Sequence, residues 1–185
     1  MQENNIIKLR YNRLDNRLNQ PVIIEKEKFD KVDFKNSLKS VNIKDLNFTN
    51  FFTSDKAQKY SYFKEVYQKY INNDNLFKDL LYGDEIERSN IAKLNRLCNI
   101  MSQTNNEKIT IEDLVKGIFK FKLKKDKTMQ MFIKREENNF YIYLIDLYHL
   151  AIPATNRKTG RSDYTKIYEK YSKANFCLSN IINES

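Results

Sequence analysis

The sequence predicts an α+β fold, with an N-terminal arm, a helical segment, an antiparallel meander of three or more strands, and a C-terminal helix. Three observations carry this prediction. Apolar residues recur at three- and four-residue spacing between Thr53 and Met101, the period drops to two from Phe119 onward, and a helical period returns at Tyr164. Helices first, strands next and a helix last is the order of an α+β domain.

Residues 1–50 are the least periodic and carry ten basic and seven acidic residues. Within them Val22-Ile23-Ile24 follows Pro21 and precedes Glu25-Lys26-Glu27-Lys28, which reads as a short strand leaving a turn. The remainder reads as an irregular arm able to order on a partner. The chain thus divides into this arm, 1–50, and a single α+β domain, 51–185.

Ala57, Tyr60, Phe63, Tyr67, Tyr70 and Ile71 lie on one face of a helix that Thr53 or Ser54 caps by accepting from an orphan amide. Asp74 starts a short second helix through Leu76, Phe77, Leu80 and Leu81, with Gly83 as its stop. A third helix places Ile86, Leu94, Leu97, Cys98 and Met101 on one side. Thr110-Ile111-Glu112-Asp113 reads as a capping box with Asp in the usual Glu or Gln position, and Gly117 closes the short helix it opens. Phe119, Phe121 and Leu123 then alternate with Lys120, Lys122 and Lys124, setting apolar groups on one strand face and ammoniums on the other. Met129–Lys134 continues the strand pattern, residues 135–139 form a polar turn, and Phe140–Leu147 is apolar on both faces, as a doubly covered strand would be. Tyr164, Ile167, Tyr168 and Tyr171 mark the final helix.

Composition excludes several function classes. The 185 residues include three glycines, Gly83, Gly117 and Gly160, and no Gly-rich phosphate loop can be written with them. Cys98 and Cys177 are too few and too far apart for a thiolate zinc site or a disulfide framework, and they read as buried thiols in a reducing compartment. His149 is the single histidine, so a two-histidine metal site cannot form, and neither a metal nor a cofactor is expected. The absence of a long apolar run or an apolar leader predicts a cytoplasmic protein with no membrane partner. The 13% aromatic content, divided between twelve Tyr and twelve Phe, supplies enough apolar surface for an ordered core.

Charge is the stronger functional signal. Lys and Arg number 33 against 24 Asp and Glu, a net charge of +9, and the residues from Ile111 onward hold 14 basic and 9 acidic of these. Lys120, Lys122, Lys124, Lys125, Lys127 and Arg135 are expected to line one strand face and its loop, with Lys116 and Lys134 beside them and Arg157, Lys158 and Arg161 extending the surface. Such a stripe can follow a phosphate backbone, releasing counterions as it binds, while Tyr141, Tyr143 or Tyr148 stack on bases. Lysines of this kind also protect an exposed strand edge from unwanted pairing.

The run Phe119–Lys124, then Met129–Arg135, then Phe140–His149 resembles the strand meander of RelE/ParE-type toxins, whose compact sheet carries basic and aromatic residues and follows two helices. The resemblance covers roughly the second half of the chain. It implies that Arg135 and His149 sit near a scissile phosphate and that the lysines grip RNA. The apolar stretch Leu150-Ala151-Ile152-Pro153-Ala154 stands where such toxins commonly end in basic residues.

Three functions follow as expectations. The first is a noncatalytic basic binding protein that engages RNA, DNA or a nucleoprotein complex, in the manner of phage or mobile-element inhibitors of host defence such as anti-CRISPR proteins. The second is a RelE/ParE-like ribonuclease using Arg135 and His149. The third is a structural or assembly protein whose Tyr and Phe surface meets a protein target, with charge serving solubility.

Overall fold

The computed structural model describes residues 31–34, 36–71, 81–84, 91–123, 129–136, 139–153 and 164–183. The chain is α+β. Its strands are β1 (Lys31–Asp33), β2 (Asn42–Ile43), β3 (Phe48–Thr49), β4 (Leu81–Asp84), β5 (Ile118–Leu123), β6 (Gln130–Glu136) and β7 (Asn139–Asp146). The α-helices are α1 (Ser54–Tyr60), α2 (Tyr62–Ile71), α3 (Ile91–Asn105), α4 (Ile111–Gly117), α5 (Tyr164–Tyr171) and α6 (Leu178–Asn183).

Five strands form one sheet in the order β1-β7-β6-β5-β4, while β2 and β3 pair by themselves. The contacts β4 to β5, β5 to β6 and β6 to β7 are antiparallel, and β1 joins β7 in parallel, Val32 opposite Phe140. Two of these strands are not signalled by periodicity. Leu81 and Gly83, expected to end a short helix, belong to β4, with Gly83 opposite Phe121. The rest of that expected helix, the Val22-Ile23-Ile24 strand and residues 1–30 as a whole lie outside the described residues.

From Lys31 on, the expected arm is built into the fold. Phe34, Ile43 and Phe48 are buried, and β1 fills an edge of the sheet. Burial of three large apolar side chains offsets the ordering entropy of this stretch, at about 1.5–3 kcal/mol each.

The sheet separates two cores. On one face Met131, Ile133, Phe140, Ile142 and Ile145 pack with Phe34, just after β1, and with Phe52, Tyr60, Phe63, Val66, Leu178 and Ile181 from α1, α2, α6 and the residues beside them. On the other, Ile118, Phe132, Tyr143 and Leu144 meet Leu94, Leu97, Cys98, Ile100 and Met101 of α3 and Leu114 of α4. A sheet so covered needs apolar residues on both faces, which explains the continuous apolar run in β7.

That run also hides a bulge. Phe132 pairs with Leu144 and Ile133 with Ile142, leaving Tyr143 as the extra residue of β7. Because one added residue reverses the alternation, Tyr143 and Leu144 both face the α3 core, and the residues beyond them exchange faces. The carbonyl of Tyr143 accepts from Asn105 Nδ2 at 2.9 Å, and the same nitrogen reaches Met101 O at 2.8 Å. Asn105 thereby fixes the end of α3 on the bulge.

Two helix starts, those of α4 and α1, differ in how their caps are made. Thr110 accepts from Asp113 N at 3.3 Å while Asp113 Oδ2 accepts from Thr110 N at 2.8 Å, a complete capping box. Thr53 stands at the N-cap of α1, but its hydroxyl donates to the Asp55 carboxylate and caps no amide. The expected first helix is two, α1 and α2, meeting at Ser61, whose hydroxyl donates to Gln58 O at 2.7 Å. Among the described residues no helix is long and apolar enough to cross a membrane.

Candidate nucleic-acid interface

The expected lysine stripe on β5 is not a single exposed surface. Lys120 is only 8% exposed, on the side of Ile118 and opposite Phe132, where the α3 and α4 core covers the sheet. In register it also stands opposite Asp84 of β4, an arrangement that favours opposite charges across strands. The alternation of Phe and Lys suggested a wet face because a lysine stem is long. With helices on both faces, that stem is packed instead. Lys120→Gln is therefore expected to leave the salt dependence of polyanion binding unchanged and to lower stability by about 1 kcal/mol in urea unfolding.

Lys134 is half-buried, its Nζ 5.9 Å from the centre of the Tyr143 ring. The side chains of Lys122 and Arg135, and residues Lys124, Lys125, Lys127, Arg157, Lys158 and Arg161, lie outside the described residues. The tyrosines expected to stack on bases have other roles. Tyr143 is buried at the bulge, and Tyr148 stacks on Tyr171 at 4.2 Å with its hydroxyl donating to Phe51 O at 3.1 Å. Tyr141 is half-buried against the α3 core. Burial pushes the Tyr148 phenol far above its ordinary range, so it remains neutral.

His149 occupies a tight corner after β7. Its φ of 58° is left-handed, a conformation open to histidine at some cost. Asp146, fully buried, holds the corner by accepting from the backbone amides of Tyr148 (3.2 Å), Leu150 (2.9 Å) and Ala151 (2.7 Å). Burial raises the Asp146 carboxyl above its usual value, against the pull of those amides and of nearby His149. The Leu150 carbonyl accepts from Arg96 Nε at 3.1 Å and Nη2 at 2.9 Å, and the guanidinium lies 4.9 Å from the Tyr164 ring centre. Arg96 thus ties the β7 corner to the start of α5.

The imidazole Nδ1 of His149 lies 2.6 Å from Gln130 Nε2. Gln130 begins β6, whereas Arg135 stands five residues along the same strand, roughly 16 Å away at strand rise. The backbone of Arg135 is thus well separated from the Gln130 that His149 meets. Among the described residues no cluster of three or more His, Cys, Asp or Glu side chains is placed to hold a metal ion. Cys98 and Cys177 are buried and free. Burial, then the Asp113 charge, pushes the Cys98 thiol up to about 11. Burial also opposes ionisation of Cys177, but hydrogen bonds from Ser179, Ser40 and nearby amides outweigh it and lower its value.

A basic surface that sequence reasoning missed lies on α5. Tyr168 and Tyr171 are buried and Tyr164 and Ile167 half-buried, whereas Lys166, Lys170 and Lys173 are exposed. The turn continues past Tyr171, since Ser172 N donates to Tyr168 O at 2.7 Å. At 3.6 residues per turn Lys166 and Lys170 stand about 40° apart on the helix, with the exposed Glu169 at their margin, and Lys173 follows in the turn just beyond Tyr171. The signal was present in the sequence as the complement of the Tyr164, Ile167, Tyr168 and Tyr171 face. Three contacts fix the helix beneath them. Tyr168 Oη donates to Asn42 Oδ1 at 2.9 Å, Asn42 Nδ2 donates to Ser172 O at 3.0 Å, and Tyr171 stacks on Tyr148. No family model, curated protein or solved structure matches the chain, so the functional reading rests on these residues alone.

Proposed function

We propose that the chain is a noncatalytic basic binding protein that engages a nucleic acid or a nucleoprotein complex. The observation that supports this reading is the row of exposed lysines on α5 and the turn after it, Lys166, Lys170 and Lys173, beside a helix whose tyrosines are anchored inward. A net charge of +9 adds long-range attraction to any polyanion. On this reading it acts as a stoichiometric binder, as phage and mobile-element inhibitors of host defence do. The ribonuclease alternative is weakened because His149 and Arg135 stand at different ends of β6.

The test is binding of the full chain to RNA and DNA across a salt series, with the RNA inspected after prolonged incubation. Affinity that falls steeply between 50 and 200 mM salt, with the RNA intact, is the expected result. No measurable binding at the lowest salt sinks the proposal, and cleavage lost in Arg135→Ala and His149→Ala variants replaces it with the ribonuclease reading.

A further inference from the structure

We infer that the polyanion held by the α5 lysines is a double-stranded nucleic acid, gripped by its phosphates and not by its bases; this rests on the function proposed above. Two kinds of contact distinguish the forms of nucleic acid. Single strands are held by cations together with aromatic platforms on which bases stack, whereas a duplex conceals its base faces and presents phosphates at regular intervals.

The α5 surface supplies the second kind of contact. Its rings are buried or half-buried and offer no exposed stacking platform, the Tyr171 ring lying under the Lys170 ammonium, 5.2 Å from its centre. Tyr168 and Tyr171 are buried, the latter stacked face to face on Tyr148, and Tyr164 lies against the Arg96 guanidinium. These rings are committed to holding the helix, which leaves ammonium groups as the outward chemistry. From Lys166 to Lys173 the row runs about 10 Å along the helix axis at 1.5 Å per residue. One strand of a duplex offers about three phosphates over that length, at 3.4 Å each.

The helix is also fixed before binding. Asn42 holds its far end through Tyr168 and Ser172, and Arg96 holds its near end through Tyr164. Two acidic groups temper the lysine row. Glu169 lies at the margin of the row, and the Asp55 carboxylate is within electrostatic reach of Lys170. Phosphate contacts of this type carry no base information, so the grip is insensitive to sequence.

The experiment compares the full chain with a Lys166→Gln, Lys170→Gln, Lys173→Gln triple variant. Each is titrated by fluorescence anisotropy with a 30-base-pair duplex, in two unrelated sequences, and with single strands of the same length, over 50–200 mM salt. All three side chains are exposed, so circular dichroism melting of the variant is expected to match the parent. The expected result is tighter binding to both duplexes than to single strands, with the slope of log affinity against log salt falling by about 2.7 in the variant, near 0.9 per lost phosphate contact. Tighter binding to single strands, or a slope the variant does not change, overturns the inference while leaving the proposed function standing. No binding of the parent chain to any of these nucleic acids at 50 mM salt would remove the proposed function itself.

Discussion

Asp146→Ala is expected to cost about 3–5 kcal/mol of stability, a large share of the 5–15 kcal/mol typical of a folded domain. The carboxylate accepts from the amides of Tyr148, Leu150 and Ala151, and it is fully buried beside the α3 core. Alanine removes all three acceptor contacts at once. Each buried amide left without a partner costs about 1–3 kcal/mol, and water cannot reach the site to replace the lost oxygens without opening the corner. The left-handed backbone at His149 then loses the amide contacts on either side of it, and Arg96 is left to hold the corner through the Leu150 carbonyl. Urea unfolding of parent and variant measures the loss. A difference below 1 kcal/mol would show that the corner is held by something other than the carboxylate.

Asp146→Asn gives a separate reading by pH. Burial raises the folded-state value of this carboxyl above its unfolded value, so the folded state binds the proton more tightly. The stability this lends is fully present below the unfolded value, about 3.9, and is lost as pH rises through the folded one. Asparagine does not titrate. The stability of the parent relative to Asp146→Asn is accordingly expected to fall as pH is raised from about 4. A difference that grows with pH would mean that the amides outweigh burial.

How far the sequence reveals this fold depends on what each residue type is asked to do. Leu94, Leu97, Cys98 and Met101 are legible because a helix has one stripe to bury, and Thr110 with Asp113 because capping is a contact between near neighbours. Lys120 misleads because its burial is set by helices that pack over the sheet, which alternation along a single strand does not register. The same holds for β4. Leu81-Tyr82-Gly83-Asp84 acquires its strand character from pairing with β5, and an isolated Gly argues locally for a helix stop. Parallel pairing of β1 with β7 joins residues more than a hundred positions apart and leaves no local trace.

The candidate site divides along similar lines. His149 was visible as the single histidine, but the residue that shapes its surroundings is Asp146, which reads from sequence only as a polar interruption in an apolar strand. A carboxylate in such a run must have partners if it is buried, and that requirement was the available clue. The α5 lysines were legible from spacing alone. Their spacing is the weaker signal beside the apolar stripe of Tyr164, Ile167, Tyr168 and Tyr171 on the opposite face, because exposed lysines are common on any helix.

Phe52→Ala is the second change with a large expected effect, about 3–5 kcal/mol, the usual range for removing a fully buried phenyl ring. Phe52 joins the segment before α1 to the segment before α6. Its amide donates to Phe176 O at 2.8 Å, and Phe176 N donates back to Phe52 O at 3.3 Å. Its ring meets Tyr60 edge-on at 5.1 Å and lies 6.3 Å from that of Phe176. The backbone pair survives truncation to alanine, whereas the ring contacts do not, so the loss reports side-chain packing in the core beneath α1 and α6. Loss of 3–5 kcal/mol corresponds to a fall of roughly 6–20 °C in melting temperature for a chain of this size. Since Phe176 lies three residues beyond Lys173, loosening this packing is also expected to weaken polyanion binding, whereas Phe52→Leu retains most of the volume and most of the affinity. Thermal melting together with duplex titration separates the two effects. A variant that melts early but binds as the parent does would show that Asn42, Tyr148 and Arg96 hold the lysine row in place without this packing.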